Sequence, residues 1–153
     1  MDVNLVNPFI DATVNVLETM AFTKAQANKP YLKEDDIARG DVSGIIGLTG
    51  ETSGTISVSF TEDSILAIVS NMFGEEMKEI SDEIEDAVGE IANMISGQAR
   101  QKLEEGGKSL KAAIPTVIKG KSHTITHMTP YPIIAVPFTT DNGDFTIEVC
   151  FEE

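Results

Sequence analysis

The sequence predicts an α+β domain, with helices packed on a mostly antiparallel sheet of about six strands in two pseudo-two-fold halves. Three observations predict it. Long segments place apolar residues at helical spacing. Shorter β-branched runs alternate or run apolar between Gly, Pro, Asn and Asp clusters. Each half of the chain has a long helix followed by strands.

The elements follow in order. Asn7-Pro8 opens the first helix, since Asn caps well and Pro suits the first helical position. Phe9, Ile10, Val14, Leu17, Met20 and Ala21 then recur at helical spacing, and the helix ends near Phe22. Residues 25–36 carry mixed signals around Lys29-Pro30 and are assigned one strand. Residues 42–49 and 55–60 read as strands joined by a Gly-rich turn at 50–54, hence a hairpin. Thr61 to Ser64 caps a second helix, which reaches Met72 or Phe73 and stops at Gly74. An acidic linker follows. Ser81 caps the third and longest helix, with Glu83 and Glu85 suiting its dipole, and Gly106-Gly107 ends it. Strands are predicted at 112–118, 133–139 and 145–152, with Asp141-Asn142-Gly143-Asp144 turning the last pair. Pro130, Pro132 and Pro137 cannot donate to a ladder, which predicts edges, strand starts or bulges. The halves share an order of elements rather than a sequence repeat.

The chain has 153 residues, 41% of them apolar, enough for a single domain over 1–153 with a core that needs no disulfide. Cys150 stands alone, so no internal disulfide forms. The first residues lack a secretory pattern, and no stretch approaches the roughly 20 apolar residues of a membrane span, so a cytoplasmic protein is expected. With 25 acidic against 11 basic residues the formal charge is −14. Such a surface repels phosphate backbones and anionic bilayers, so neither nucleic acid nor membrane is an expected partner.

The third helix carries the chemistry. Ile84, Ala87, Val88, Ile91, Ala92, Ile95, Ala99 and Leu103 form an apolar stripe for the sheet. Asp86, Glu90, Asn93 and Gly97 fall in one column on the opposite side. Gly89 and Gly97 each cost up to about 1 kcal/mol against Ala in a helix, and Asn93 is a poorer helix former than Glu or Gln. The column is either a solvated face with tolerated glycines or a contact surface where a partner's backbone approaches closely.

Asp86-x-x-x-Glu90-x-x-Asn93 followed by Pro115 resembles the signature of the CheC/CheX/FliY phosphatases, which act on the phosphorylated chemotaxis regulator CheY. Between Asn93 and Pro115 lie 21 residues, one fewer than the family pattern. Segments 54–76 and 89–100 and the order of elements look like CheX in particular. CheC-type members carry the motif on two helices. Here the first helix has Asp11, Asn15 and Glu18, with the Glu and Asn positions exchanged, so only one site is assigned.

The resemblance implies a CheC-like fold and hydrolysis of a response regulator's aspartyl phosphate. Asn93 can accept a hydrogen bond from water and donate to a phosphoryl oxygen, which suits orientation rather than base catalysis. The family implies that Glu90 pairs with the regulator's lysine. Asp86 matches the first motif position and supports the site, while Gly89 and Gly97 are contact positions. No cofactor or metal is expected on this chain, and Mg²⁺ is expected on the regulator. A homodimer through sheet edges is implied as well. The rivals are a non-catalytic flagellar-switch or adaptor module of the same fold, and a self-associating structural protein using the same helix face. A scaffold has no need of the Glu90/Asn93 pair.

His123 and His127 are too few for a typical zinc site and read as loop or strand-edge residues. Cys150 falls on the less apolar face of the last strand and reads as structural. Gly44, Gly47, Gly50 and Gly54 lack the lysine motif of a phosphate loop.

Overall fold

A computed structural model describes residues 3–35, 37–38, 40–121, 123–125, 127 and 132–152. Its elements are α1 (Val3–Ala21), β1 (Gln26–Ala27), β2 (Tyr31–Lys33), β3 (Val42–Gly50), β4 (Gly54–Phe60), α2 (Glu62–Phe73), α3 (Asp82–Glu105), β5 (Leu110–Ala112), β6 (Thr116–Lys119), β7 (Ile133–Thr140) and β8 (Gly143–Phe151). Every strand pairing is antiparallel, in the order β1-β7-β8-β4-β3-β5, with β2 also on β7 and β6 also on β3.

Among the described residues, eight strand segments therefore fill six positions across the sheet. Each outer position is shared by two short pieces, β1 with β2 and β5 with β6. The expected single strand over 25–36 breaks around Lys29-Pro30, and that over 112–118 breaks at 113–115, where Pro115 sits. Proline has no N–H for the ladder, which is why the pairing stops there.

The order reads the same when the halves are exchanged: β1/β2 swaps with β5/β6, β7 with β3, and β8 with β4. Each half supplies the outer strand of the other half's hairpin. The pseudo-two-fold axis passes between β4 and β8, and α1 corresponds to α3.

Two corrections concern prolines. Helix α1 begins at Val3, a turn before Asn7, so Pro8 lies inside it and removes one intrahelical bond. Pro137 lies in an interior strand, not at an edge. Asn28 N–H donates to its carbonyl at 2.8 Å, so its missing N–H also faces the outer position where β1 and β2 are interrupted. Pro132 directly precedes β7, as a strand start should. Pro130 lies outside the described residues.

The turn chemistry behaves as the sequence reads. Thr61 caps α2, accepting from Ser64 N at 3.3 Å, and Gly74 ends that helix in the left-handed region at φ 70°. Ser81 takes the extended cap conformation before α3 but makes no side-chain cap bond.

Alternation splits the sheet into two faces. Val42, Ile46, Leu48, Ile56, Val58, Phe60, Val136, Phe138, Phe145, Ile147, Val149 and Phe151 form the core with the apolar sides of the helices. Phe138 stacks on Phe145 with centroids 4.8 Å apart. The other face is polar yet buried: Ser43, Thr55, Ser57, Ser59, Thr146 and Glu148. Among the described residues, no helix is long and apolar enough to cross a membrane.

Candidate functional site

Helix α3 is seated by its apolar stripe. Ile84, Val88, Ile91, Ala92, Ile95 and Ala99 are all fully buried against the sheet and α1. Gly44 on β3 lets the helix lie close. A Cβ there would meet Ala92 Cβ at 3.1 Å and Val88 Cγ1 at 3.2 Å. The strand glycine that makes no phosphate loop thus has a packing reason.

Seating α3 this way turns Asp86, Glu90 and Asn93 outward, and all three are exposed. At about 1.5 Å of rise per residue, Glu90 and Asn93 stand one turn apart and Asp86 one turn earlier. Neither Glu90 nor Asn93 makes a side-chain hydrogen bond or ion pair among the described residues. Asn93 thus presents a free carboxamide, one donor group and one acceptor, beside a free carboxylate. Gly97, next in the column, is half-buried, with Arg100 Nη2 3.9 Å from where its Cβ would be. Arg100 itself is held by Nε donating to Ser96 Oγ at 3.3 Å.

Gly89 departs from expectation. It is buried rather than exposed, because it faces the β5–β6 edge. A Cβ there would lie 3.5 Å from Val117 Cγ2 and 3.8 Å from Pro115 Cγ. Pro115, distant in sequence, is thereby brought beside the residue that precedes Glu90. The motif's proline and its helix are neighbours in space. Next to them an open depression of about 460 Å³ is lined by Asp82, Glu85, Asp86 and Val117. Glu85 pairs with Lys119 of β6 at 3.4 Å.

The first helix presents no equivalent. Asn15 Nδ2 donates to Gln98 Oε1 at 2.8 Å, and Asp11 pairs with Lys102 at 3.1 Å. Both bonds run from α1 to α3, so this column is engaged in holding the helices together.

On the polar face of the sheet lies a cluster that sequence reasoning missed. Lys33 Nζ donates to Glu148 Oε2 at 2.6 Å with both side chains fully buried. His127, its side chain only 3% exposed, donates from Nε2 to Glu148 Oε1 at 3.0 Å. Among the described residues, His127 Nδ1 and Ser57 Oγ are buried without a hydrogen-bond partner. His123 Nδ1 donates to the Gly120 carbonyl at 2.6 Å, and its Nε2 lies 2.6 Å from Ser43 Oγ. His127 lies outside the strands, as a loop residue should, but its side chain is turned inward as the buried partner of a charge. The available signal was Glu148 itself: a buried carboxylate on an inner strand demands a cation. Cys150 is fully buried on the same face.

Residues 42–139 match the model of the chemotaxis phosphatase family CheX. A Thermotoga maritima protein named CheY-P phosphatase CheX is 29% identical over 122 residues, 79% of each chain. The crystal structure of the chemotaxis protein CheX from Vibrio vulnificus superposes with a TM-score of 0.91 at 46% identity, covering 97% of this chain and 99% of that one. The structure of a CheX–CheY–BeF₃–Mg²⁺ complex from Borrelia burgdorferi matches at a TM-score of 0.83 and 26% identity, covering 97% and 98%. With the family model matched over more than half of its length and its fold shared with these structures, this chain belongs to the CheX family of chemotaxis phosphatases.

Proposed function

We propose that this chain hydrolyses the aspartyl phosphate of a CheY-like response regulator, with Asn93 orienting the water and Glu90 docking the regulator. The observation that carries the reading is the exposed, unpartnered Glu90/Asn93 pair, one turn apart on a rigidly seated helix. The Borrelia complex, in which a CheX is bound to CheY with beryllofluoride and Mg²⁺, supports the choice of partner.

An acyl phosphate is already activated, so the reaction mainly requires a water held in line with phosphorus. The water oxygen forms the new bond to phosphorus as the bond to the regulator's aspartyl oxygen breaks. The electron pair leaves with the carboxylate, and inorganic phosphate is released. The carboxamide of Asn93 accepts a hydrogen bond from the water and donates to a phosphoryl oxygen, fixing distance and angle without taking the proton. The Mg²⁺ and the lysine that balance phosphoryl charge belong to the regulator. Glu90 reaches that lysine, and the ion pair sets the register of Asn93 over the phosphoryl group. Asp86, a turn earlier, extends the acidic side of the contact, and half-buried Gly97 leaves room for the regulator's backbone.

Two variants test these roles. Asn93→Ala should lower phosphate release from the phosphorylated regulator by about a hundredfold or more at saturation. Its melting temperature should not change, because the side chain is exposed and makes no hydrogen bond among the described residues. An unchanged rate removes Asn93 from the mechanism. Glu90→Ala should weaken regulator binding by roughly tenfold or more, and unchanged affinity removes the docking role.

A further inference from the structure

We propose that Ile114 is the apolar anchor with which this chain grips the regulator whose phosphoryl group Asn93 serves. The inference rests on the function proposed above and adds a contact that the helix motif does not contain.

Ile114 is 89% exposed, the most exposed large hydrophobic residue among those described. Single exposed apolar residues are ordinary on protein surfaces. Two features set this one apart. First, it is tethered on both sides. Ala113 N–H donates to the Gly47 carbonyl at 2.9 Å, and Thr116 resumes the pairing with Ile45 of β3. Pro115, with a fixed φ, packs beside Gly89. The break between β5 and β6 therefore holds an isoleucine outward at little further entropic cost on binding.

Second, its place adjoins the column. Pro115 lies against the residue directly before Glu90, so Ile114 stands at the flank of the Glu90/Asn93 face. Val117, from the same edge, meets Asp82, Glu85 and Asp86 in the open depression there. An apolar point beside an acidic, hydrogen-bonding strip has the composition of a docking surface, with an anchor to exclude water and polar groups to set register. The polar pair alone does not exclude water from the contact, and an ion pair left in water contributes little. Burying one isoleucine strengthens binding by about ten- to a hundredfold. The partner that fits is a receiver domain with an apolar recess next to its phosphorylated aspartate.

The test uses the full chain and a CheY-type receiver domain. Binding is measured to the receiver loaded with beryllofluoride and Mg²⁺, and turnover with its aspartyl phosphate. Ile114→Glu should raise Kd and KM about tenfold or more, with kcat within about twofold of the parent. Ile114→Leu should stay near the parental values, and neither variant should shift the melting temperature. Asn93→Ala is run alongside. If it loses turnover while Ile114→Glu keeps parental Kd and KM, Ile114 is idle and the proposed function stands. A loss in kcat at constant KM also overturns the anchor. A parental protein that neither binds nor dephosphorylates the receiver overturns both readings.

Discussion

Asn93 and Asn15 occupy related helices and have opposite fates. The amide of Asn15 donates to Gln98 and helps hold α1 to α3, while that of Asn93 meets no partner among the described residues. The difference follows from the helix wheel. On α3, the buried positions turn Asn93 to the exposed side of the helix. This much was legible in the sequence, because a period of 3.6 places a side chain without knowledge of the rest of the fold. Glu148 was not legible in the same way. Alternation put it on the less apolar face of the last strand, but its cation lies 115 residues away in the chain. No local pattern announces such a pair. Glu148→Gln keeps the shape and leaves Lys33 charged, buried and without a counter-ion, so urea denaturation should show a loss of about 3–5 kcal/mol. Adding Lys33→Met should recover part of that loss, since the two sites are directly coupled.

Among the elements, α3 matters most, and its position depends on a strand residue. Gly44 admits the backbone of the helix to within van der Waals contact of β3. Gly44→Ala must push Ala92 and Val88 outward by a few tenths of an ångström. The expected outcome is a stability loss of about 1–3 kcal/mol in chemical denaturation, the usual range for overpacking. Apart from the early start of α1, the helix ends and hairpin turns agree with the sequence because glycine and capping residues act locally. The two outer strands do not. Each reads as a single run, and each is cut near a proline. Gly89 shows the same limit. The wheel places it near the exposed column, but only the return of the β5–β6 edge, with Pro115 and Val117, decides that it is covered.

At the scale of the molecule, the class of fold and the helix-then-strands rhythm were readable, but the strand order was not. Order depends on which edges meet, and those edges come from opposite ends of the chain. Here β1 and β2 leave their own half to border β7, while β5 and β6 cross to border β3. The arrangement has a consequence for how the chain can be divided. A cut in the acidic stretch between Phe73 and Asp82 would separate two pieces of similar plan, each keeping its own hairpin and surrendering that hairpin's outer neighbour. Either piece alone would show a bare ladder and half a hydrophobic interior, and would aggregate or stay unstructured. Mixed together, the pieces should complement one another, recovering strand and helix signal in circular dichroism and, with both present, the phosphatase reaction. Neither piece alone should do so.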